Sequence, residues 1–300
     1  MTTRIWHVPV GDGQLGGVAN DGAGVDLLFV PSMGTSAKCW LPVMSHLERF
    51  RSVAVDLPGH ALSVDAPLPR RDQPWDFILT VIAELGLDRP VVVGHSISGF
   101  LALAAAADRP DLISSVVTLE AALMEGSRDE VSRMLEHVYN DQVIDVLAER
   151  FGFGQVLDSE QAVEAVISAA EGAAAKDWLL STETGIAEAV RNSTVPRPDG
   201  TWLRTPDKTT MRAYFALDPD ARFFPHTELY DHIAVPVHVV QSAEGLSVMQ
   251  PDAVQRLRAR RPNVQVFDID GGHLAHYSHP VQFARIVRRA AEASAADRTA

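Results

Sequence analysis

The chain has 300 residues, of which 46% are hydrophobic and 22% are charged, and this composition excludes extensive disorder. A net charge of −13 disfavours nucleic acids and anionic membranes as partners, since both carry negative charge. The single cysteine, Cys39, excludes an internal disulfide and fits a reducing compartment. The sequence has neither an apolar leader nor a run approaching the ~20 apolar residues that cross a membrane, so we expect a cytoplasmic protein.

Strand-like and helical segments alternate along the first part of the chain. Strand-like runs at residues 25–30, 52–56, 91–93 and 115–119 are separated by helical patterns near residues 37–48, 72–86 and 97–108. Such alternation is typical of βαβ units around a mostly parallel sheet. The predicted fold class is therefore α/β, with helices flanking a central sheet.

A helical block interrupts this alternation. The block contains no convincing strand, and its apolar residues recur with helical spacing, for example Val131, Met134, Leu135 and Val138. Strands are expected again at residues 235–240 and 264–269, each followed by a helix. We therefore predict a core of residues 1–120 and 233–300, with a helical cap of residues 121–232 inserted over the carboxyl edge of the sheet, where ligands of open α/β sheets bind.

A candidate nucleophile lies in the segment Gly94-His95-Ser96-Ile97-Ser98-Gly99. The segment follows the run at residues 91–93 and precedes a helical stretch of small residues. In this context a serine flanked by small residues is held on a sharp turn, and its hydroxyl is exposed above the sheet beside the N–H groups of the next helix. An ordinary turn with an incidental serine is the alternative. The flanking strand and helix favour Ser96 as a nucleophile.

A serine hydroxyl needs a base, and the best candidate is His273. It follows two glycines and the last predicted strand, so its ring can reach across the sheet edge. His95 adjoins the serine but should point away from its hydroxyl on a tight turn. The spacing of His273, His276 and His279 suggests a metal site, but no carboxylate or cysteine completes it, so we predict no metal.

Together these segments resemble the α/β-hydrolase superfamily over nearly the whole chain outside the cap. The matching segments are Gly94–Gly99, Asp56–His60 with Ser63, Gly272-His273, and the strand entry at Ile233–Val237. The resemblance implies acyl-transfer chemistry with no cofactor. It also implies that the backbone N–H groups of Met33 and Ile97 form the oxyanion hole, although Pro31-Ser32 replaces the family's usual His-Gly before Met33.

The acid of the triad has two candidates. Family members usually carry an aspartate a few residues beyond the strand that follows the cap, but here Gly245 holds that place and Glu244 is one residue short. One subgroup of haloalkane dehalogenases places its acid after the strand that follows the nucleophile helix, where this chain has Glu120. Both positions keep the order nucleophile, acid, base. The alternative to a catalytic role is that Glu120 is a linker residue and that Glu244 is a solvated loop residue. We favour Glu120 as the acid and keep Glu244 as the second candidate.

The leading hypothesis is a serine hydrolase that cleaves an ester, thioester or lactone through a covalent acyl-enzyme. The same triad also serves C–C bond hydrolysis or acyl transfer, and the fold hosts non-catalytic binding or regulatory proteins. A dehalogenase is disfavoured because it needs a carboxylate nucleophile in place of Ser96. We expect a small-molecule acyl substrate with an apolar or bulky group, because the predicted cap contains six aromatic residues, namely Trp178, Trp202, Tyr214, Phe215, Phe223 and Phe224. Self-association into a homo-oligomer is left open.

Overall fold

An eight-stranded sheet forms the centre of the computed structural model, which describes residues 3–121, 123–176, 185–246, 249 and 251–299. Across the sheet, the strands are β1 (Thr3–Val10), β2 (Gly13–Asn20), β4 (Arg51–Val55), β3 (Asp26–Val30), β5 (Val91–His95), β6 (Ser115–Leu119), β10 (Val237–Ser242) and β11 (Val264–Ile269). The last six in this order run parallel to one another. The predicted α/β class with a mostly parallel sheet is confirmed.

The antiparallel hairpin of β1 and β2 at one edge was not expected from the sequence pattern. Glycine-rich β2 has low β propensity, which hides the strand. The glycines are needed for close packing, because a Cβ on Gly17 would lie 1.9 Å from the carbonyl oxygen of Ala54 on β4. The alternating buried residues Trp6 and Val8 carry the period-2 signal that could have revealed β1.

Helices cover both faces of the sheet. They are α1 (Leu41–Met44), α2 (Asp76–Glu84), α3 (Ile97–Asp108), α9 (Pro251–Arg260), α10 (Ala275–Ser278) and α11 (Pro280–Thr299). Alternate residues of β3 enter the two resulting cores, with Leu28 on the side of α2 and α3 and Phe29 on the side of α1 and α11. A strand buried on both faces is a continuous apolar run, and each fully buried Leu or Phe contributes about 1.5–3 kcal/mol. Within the described ranges, no helix is both long and apolar enough to cross a membrane.

In the described part of the segment between β6 and β10 there are five α-helices and a second, smaller sheet. The helices are α4 (Arg128–Val138), α5 (Asp141–Phe151), α6 (Glu160–Ala174), α7 (Ile186–Ser193) and α8 (Lys208–Phe215), and the antiparallel sheet consists of β7 (Val156–Leu157), β9 (Trp202–Arg204) and β8 (Thr194–Pro196). The expectation that this segment lacks strands is therefore wrong. Strands of two or three residues are too short to show a period in the sequence.

An aromatic cluster containing two histidines lies in the core near the carboxyl edge of the sheet. The ring centroid of His276 lies 4.7 Å from those of both Trp40 and His95, and Phe283 stacks on Trp40. Both ring nitrogens of His276 are buried and have no hydrogen-bond partner within the part of the chain that the structure describes. Burial, with a smaller effect of the neighbouring His273, lowers the pKa of His276 to about 3.

We expect His276→Phe to make folding less sensitive to acid. The unfolded chain protonates histidine below pH ~6.5 whereas folded His276 stays neutral, so its contribution to stability is complete above that pH and is lost as the pH falls. Urea titrations should show that the free energy of unfolding falls by about 2 kcal/mol more in the wild type than in His276→Phe between pH 7.5 and pH 5.

The control is His46→Gln, because His46 is exposed and its replacement should leave the pH dependence unchanged. Burial raises the pKa of Asp56 to about 7, so its effect on the free energy of unfolding is opposite to that of His276 as the pH falls. Because all three proteins contain Asp56, this effect cancels when their pH dependences are compared. If the free energy of unfolding changed equally with pH in the wild type and in His276→Phe, folded His276 would not have the lowered pKa described above.

Candidate active site

Ser96 stands on a strained turn between β5 and α3. Its φ of 55° and ψ of −124° lie outside the regions that non-glycine residues ordinarily adopt, which costs about 1–3 kcal/mol. The Ser96 N–H donates to the carbonyl of Leu119 at the end of β6, at 2.8 Å. A Cβ on Gly94 would lie 2.2 Å from the carbonyl oxygen of Ser98, so only glycine lets the strand and helix approach this closely. The turn brings Ser96 to the wall of a cavity.

The two predicted oxyanion donors line the same cavity. Ile97 is the first residue of α3, so its N–H has no acceptor within the helix. Met33 lies in the loop after β3, which the Ser98 hydroxyl holds by donating to the carbonyl of Pro31 at 2.5 Å. Ser98 replaces a glycine that is commoner in the resembling family, and this hydrogen bond is a function that the sequence pattern did not reveal. The roles of Met33 and Ile97 remain predictions.

His273 lies in the loop after β11 and also lines the cavity. Its side chain is 14% exposed, and its Nδ1 lies 3.6 Å from Oε2 of Glu120. His95 is buried beneath it, and His95 Nε2 donates to the carbonyl oxygen of His273 at 2.9 Å. Burial, with smaller effects of His273 and His276, lowers the pKa of His95 well below its usual value, so this ring is neutral. His95 therefore supports the backbone of the candidate base.

Glu120 is the first residue after β6, and its carboxylate is fully buried beside His273. Oε1 accepts the N–H of Ser242 and Oε2 accepts the N–H of Leu246, each at 2.7 Å. A buried carboxylate needs such donors, because its charge has lost the solvation of water. The φ of Glu120 is 52°, so the candidate acid, like the candidate nucleophile, occupies a strained backbone conformation.

The absence of a side chain at Gly245 leaves room for the carboxylate of Glu120 beside His273. A Cβ at position 245 would lie 2.2 Å from Oε2 of Glu120, so the carboxylate fills the space into which a side chain at position 245 would extend. That is the place where the resembling family usually carries its acid. Glu244 has an exposed side chain and makes no ion pair with His273 among the described residues. The geometry thus places Glu120 beside His273 and Ser96 on the wall of the same cavity, whereas Glu244 is not paired with His273 within the described ranges.

The cavity has a volume of about 750 Å³, which suits a small-molecule ligand. Most of its wall is apolar and comes from the segment between β6 and β10, including Tyr214 and Phe215. Phe223 and Phe224 are buried elsewhere in the packing, and Trp178 lies outside the described residues. Within the described ranges, no group of three or more histidine, cysteine or acidic residues is placed to hold a metal ion.

Comparison with known proteins identifies similar sequences and structures. The model of the alpha/beta hydrolase family matches residues 27–286. The 2-(acetamidomethylene)succinate hydrolase of Mesorhizobium japonicum is 34% identical over 106 residues, covering 34% of this chain and 38% of that protein. Lipase LipV of Mycobacterium tuberculosis is 34% identical over 109 residues, covering 34% of this chain and 40% of that protein. The matched region thus spans less than half the length of either relative.

A solved structure shows the same architecture. The crystal structure of E-2-(acetamidomethylene)succinate hydrolase matches with a TM-score of 0.70 and 23% sequence identity, covering 96% of this chain and 98% of that one. At this level of identity the likeness shows a shared fold.

The contacts of Glu120 generate a test of the acid. We expect Glu120→Gln to lower kcat for a 4-nitrophenyl ester by about 10³–10⁴-fold, because the base loses the carboxylate that stabilises its protonated ring. Glu244→Gln should stay within about twofold of the wild type, since this exposed side chain does not pair with His273.

A double variant sharpens this test. Glycine at position 120 tolerates the positive φ of that residue, and Glu120→Gly empties the space beside position 245. Adding Gly245→Asp to Glu120→Gly should therefore raise the activity at least tenfold above that of Glu120→Gly alone. The same aspartate in the wild-type background should lower activity, because it collides with Glu120. A loss of turnover in Glu244→Gln but not in Glu120→Gln would show that the acid is Glu244.

Proposed function

Because the chain belongs to the alpha/beta hydrolase family, we propose that it is a serine hydrolase that cleaves an ester, thioester or lactone. The proposed triad is Ser96 as nucleophile, His273 as base and Glu120 as acid. One observation carries the proposal: the fully buried Glu120 carboxylate faces Nδ1 of His273 at the wall of the cavity that Ser96 also lines. A constellation of this kind is recognised by geometry and roles.

The proposed first half-reaction forms an acyl-enzyme. The Ser96 hydroxyl oxygen attacks the carbonyl carbon of the substrate, while its proton passes to Nε2 of His273. Glu120 stabilises the resulting imidazolium through Nδ1–H. The negative charge on the former carbonyl oxygen is stabilised by the N–H groups of Met33 and Ile97; one such donor is typically worth about 10²–10³-fold in kcat. The leaving alkoxide or thiolate departs with the proton from His273.

The second half-reaction releases the acid. Water enters the position of the leaving group and gives one proton to His273 as its oxygen attacks the acyl carbon. The tetrahedral intermediate then collapses, the bond to Ser96 breaks, and His273 returns the proton to the serine oxygen. Hydrolysis of a C–C bond or transfer to another acceptor would use the same three residues. The location of all five residues around one cavity supports catalysis over a purely binding or regulatory role.

The substrate is proposed to be a small acyl compound. The apolar wall supports an apolar or bulky portion, because burying it there removes that surface from water. The relative from Mesorhizobium japonicum is named for hydrolysis of 2-(acetamidomethylene)succinate, and lipase LipV is named as a lipase. These names support hydrolysis of a carboxylic acid derivative as the reaction class.

The proposal predicts that a fluorophosphonate probe labels the wild-type protein on Ser96. Ser96→Ala should remove the labelling and lower the hydrolysis of 4-nitrophenyl esters by at least 10⁴-fold, because the nucleophile is lost. With esters of increasing acyl length, kcat/KM should rise until the chain fills the apolar wall.

Ser193→Ala is the matched control. Ser193 lines the same cavity, but its hydroxyl donates to the helix carbonyl of Ala189, so its loss should leave labelling intact. Folded wild-type protein that remains unlabelled, or Ser96→Ala that is labelled normally, would refute the proposal.

A further inference from the structure

A cation that has no carboxylate partner among the described residues lies in the wall of the cavity. Arg204, at the end of β9, lines the cavity, and its guanidinium is half-buried. Its Nη2 donates to the carbonyl oxygen of Phe151 at 2.7 Å. Of the carboxylates in the described residues, none has an oxygen within 4.0 Å of its guanidinium nitrogens. By contrast, Arg191 and Arg212 of the same segment between β6 and β10 pair with Glu164 and Asp141.

The surrounding backbone is built to accommodate this cation. A Cβ on Gly152 would lie 2.0 Å from Nη1 of Arg204, and the φ of Gly152 is 69°, so glycine is required there on both counts. The Nε of Arg204 is buried and has no hydrogen-bond partner among the described residues. Burial lowers the pKa of Arg204, but a guanidinium remains charged in proteins. A charge that has lost water without gaining a counter-charge is destabilising until an anion binds.

Arg204 is also coupled to the loop of the proposed oxyanion hole. Its backbone N–H and carbonyl pair with Gln155 and Gly154, at 2.9 and 2.8 Å. The neighbouring Phe153 covers Gly34, where a Cβ would lie 2.1 Å from the ring. Gly34 follows Met33 directly, so the segment that holds the guanidinium packs on the loop beside the reacting carbonyl.

The other charged groups of this wall are less suited to bind an anion. Arg150 is held over the Phe151 ring, with its guanidinium carbon 5.0 Å from the ring centroid. Glu149 has an exposed side chain and does not pair with Arg204, and the carboxylate of Glu120 is occupied by two backbone donors. In a chain with a net charge of −13, Arg204 is thus the best-placed cation for an anionic ligand in this cavity.

We propose that Arg204 binds a carboxylate carried by the substrate, so that this enzyme acts on acyl compounds whose other end is an acid. A guanidinium matches a carboxylate with two parallel hydrogen bonds, which fixes the ligand's orientation as well as adding affinity. The inference rests on the proposed hydrolase function for its catalytic readout. A purely structural role is the competing explanation, since Arg204 also caps the last carbonyl of α5.

Matched substrates separate the two explanations. One series consists of mono-4-nitrophenyl esters of dicarboxylic acids from succinate to suberate, and the other replaces the free carboxylate by methyl at equal chain length. We expect the wild type to prefer the anionic ester by at least tenfold in kcat/KM at one chain length. Arg204→Met should lower that preference by about 10–100-fold, the size of a charge-assisted hydrogen bond, while the rate on the neutral ester stays within about threefold.

Arg150→Met is the control, because it removes a second cation from the same cavity and should keep the preference. Equal losses on both esters in Arg204→Met would show that Arg204 only caps α5. Transfer of the effect to Arg150→Met would assign the anion to Arg150. Either result would overturn the inference.

Calorimetry makes the inference independent of turnover. With Ser96→Ala protein, which should bind but not cleave, adipate should bind at least tenfold more weakly after the further change Arg204→Met. If neutral esters are cleaved through Ser96 without any preference for the anionic series, the inference fails and the proposed function stands. If no ester is cleaved and no probe reacts, the proposed function fails, and the adipate titration still decides whether Arg204 binds a carboxylate.

Discussion

The candidate site depends on burial of one carboxylate, that of Glu120. A buried carboxylate is stable only when polar groups replace the water that it has lost, and here two backbone donors come from the end of β10 and the loop after it, while the His273 ring beside the carboxylate comes from the loop after β11. The carboxylate therefore ties three segments that are remote in sequence. It also explains Gly245, since any side chain there would take the space of the carboxylate.

The parallel sheet supplies the rigidity that this arrangement needs. β5 and β6 pair with His95 opposite Leu119, so Ser96 and Glu120 leave the sheet side by side at the same edge. Both residues have positive φ, and strain of this kind persists only where the surroundings over-determine the backbone. Strands packed on both faces, with helix α3 seated directly against Gly94, provide that support. The sheet and helix α3 thus fix the backbone positions of the candidate nucleophile and the candidate acid.

The cavity combines two environments with different physical roles. Its apolar wall favours burial of a substrate's hydrocarbon portion, which discriminates weakly by size. On our proposal, the half-buried guanidinium of Arg204 discriminates more strongly, because a ligand without an anionic group leaves it with no counter-charge among the described residues. The proposed contacts also set the orientation of the substrate, with its anionic end at Arg204 and its reacting carbonyl at Ser96. On the proposed function, the segment between β6 and β10 supplies the specificity and the residues at the sheet edge supply the bond cleavage.

Local patterns in the sequence predicted the α/β class, the sharp turn at Ser96, the location of His273 after the last strand and the helical character of the segment after Glu120, because each is a property of neighbouring residues. Tertiary structure decided what local patterns cannot express. The glycine-rich strand β2 and the two- or three-residue strands β7–β9 are stable only through their partners. Likewise, the pairing of Glu120 rather than Glu244 with His273 and the contact of Arg204 with the end of α5 depend on distances between segments more than 50 residues apart. No spacing in the sequence records such distances.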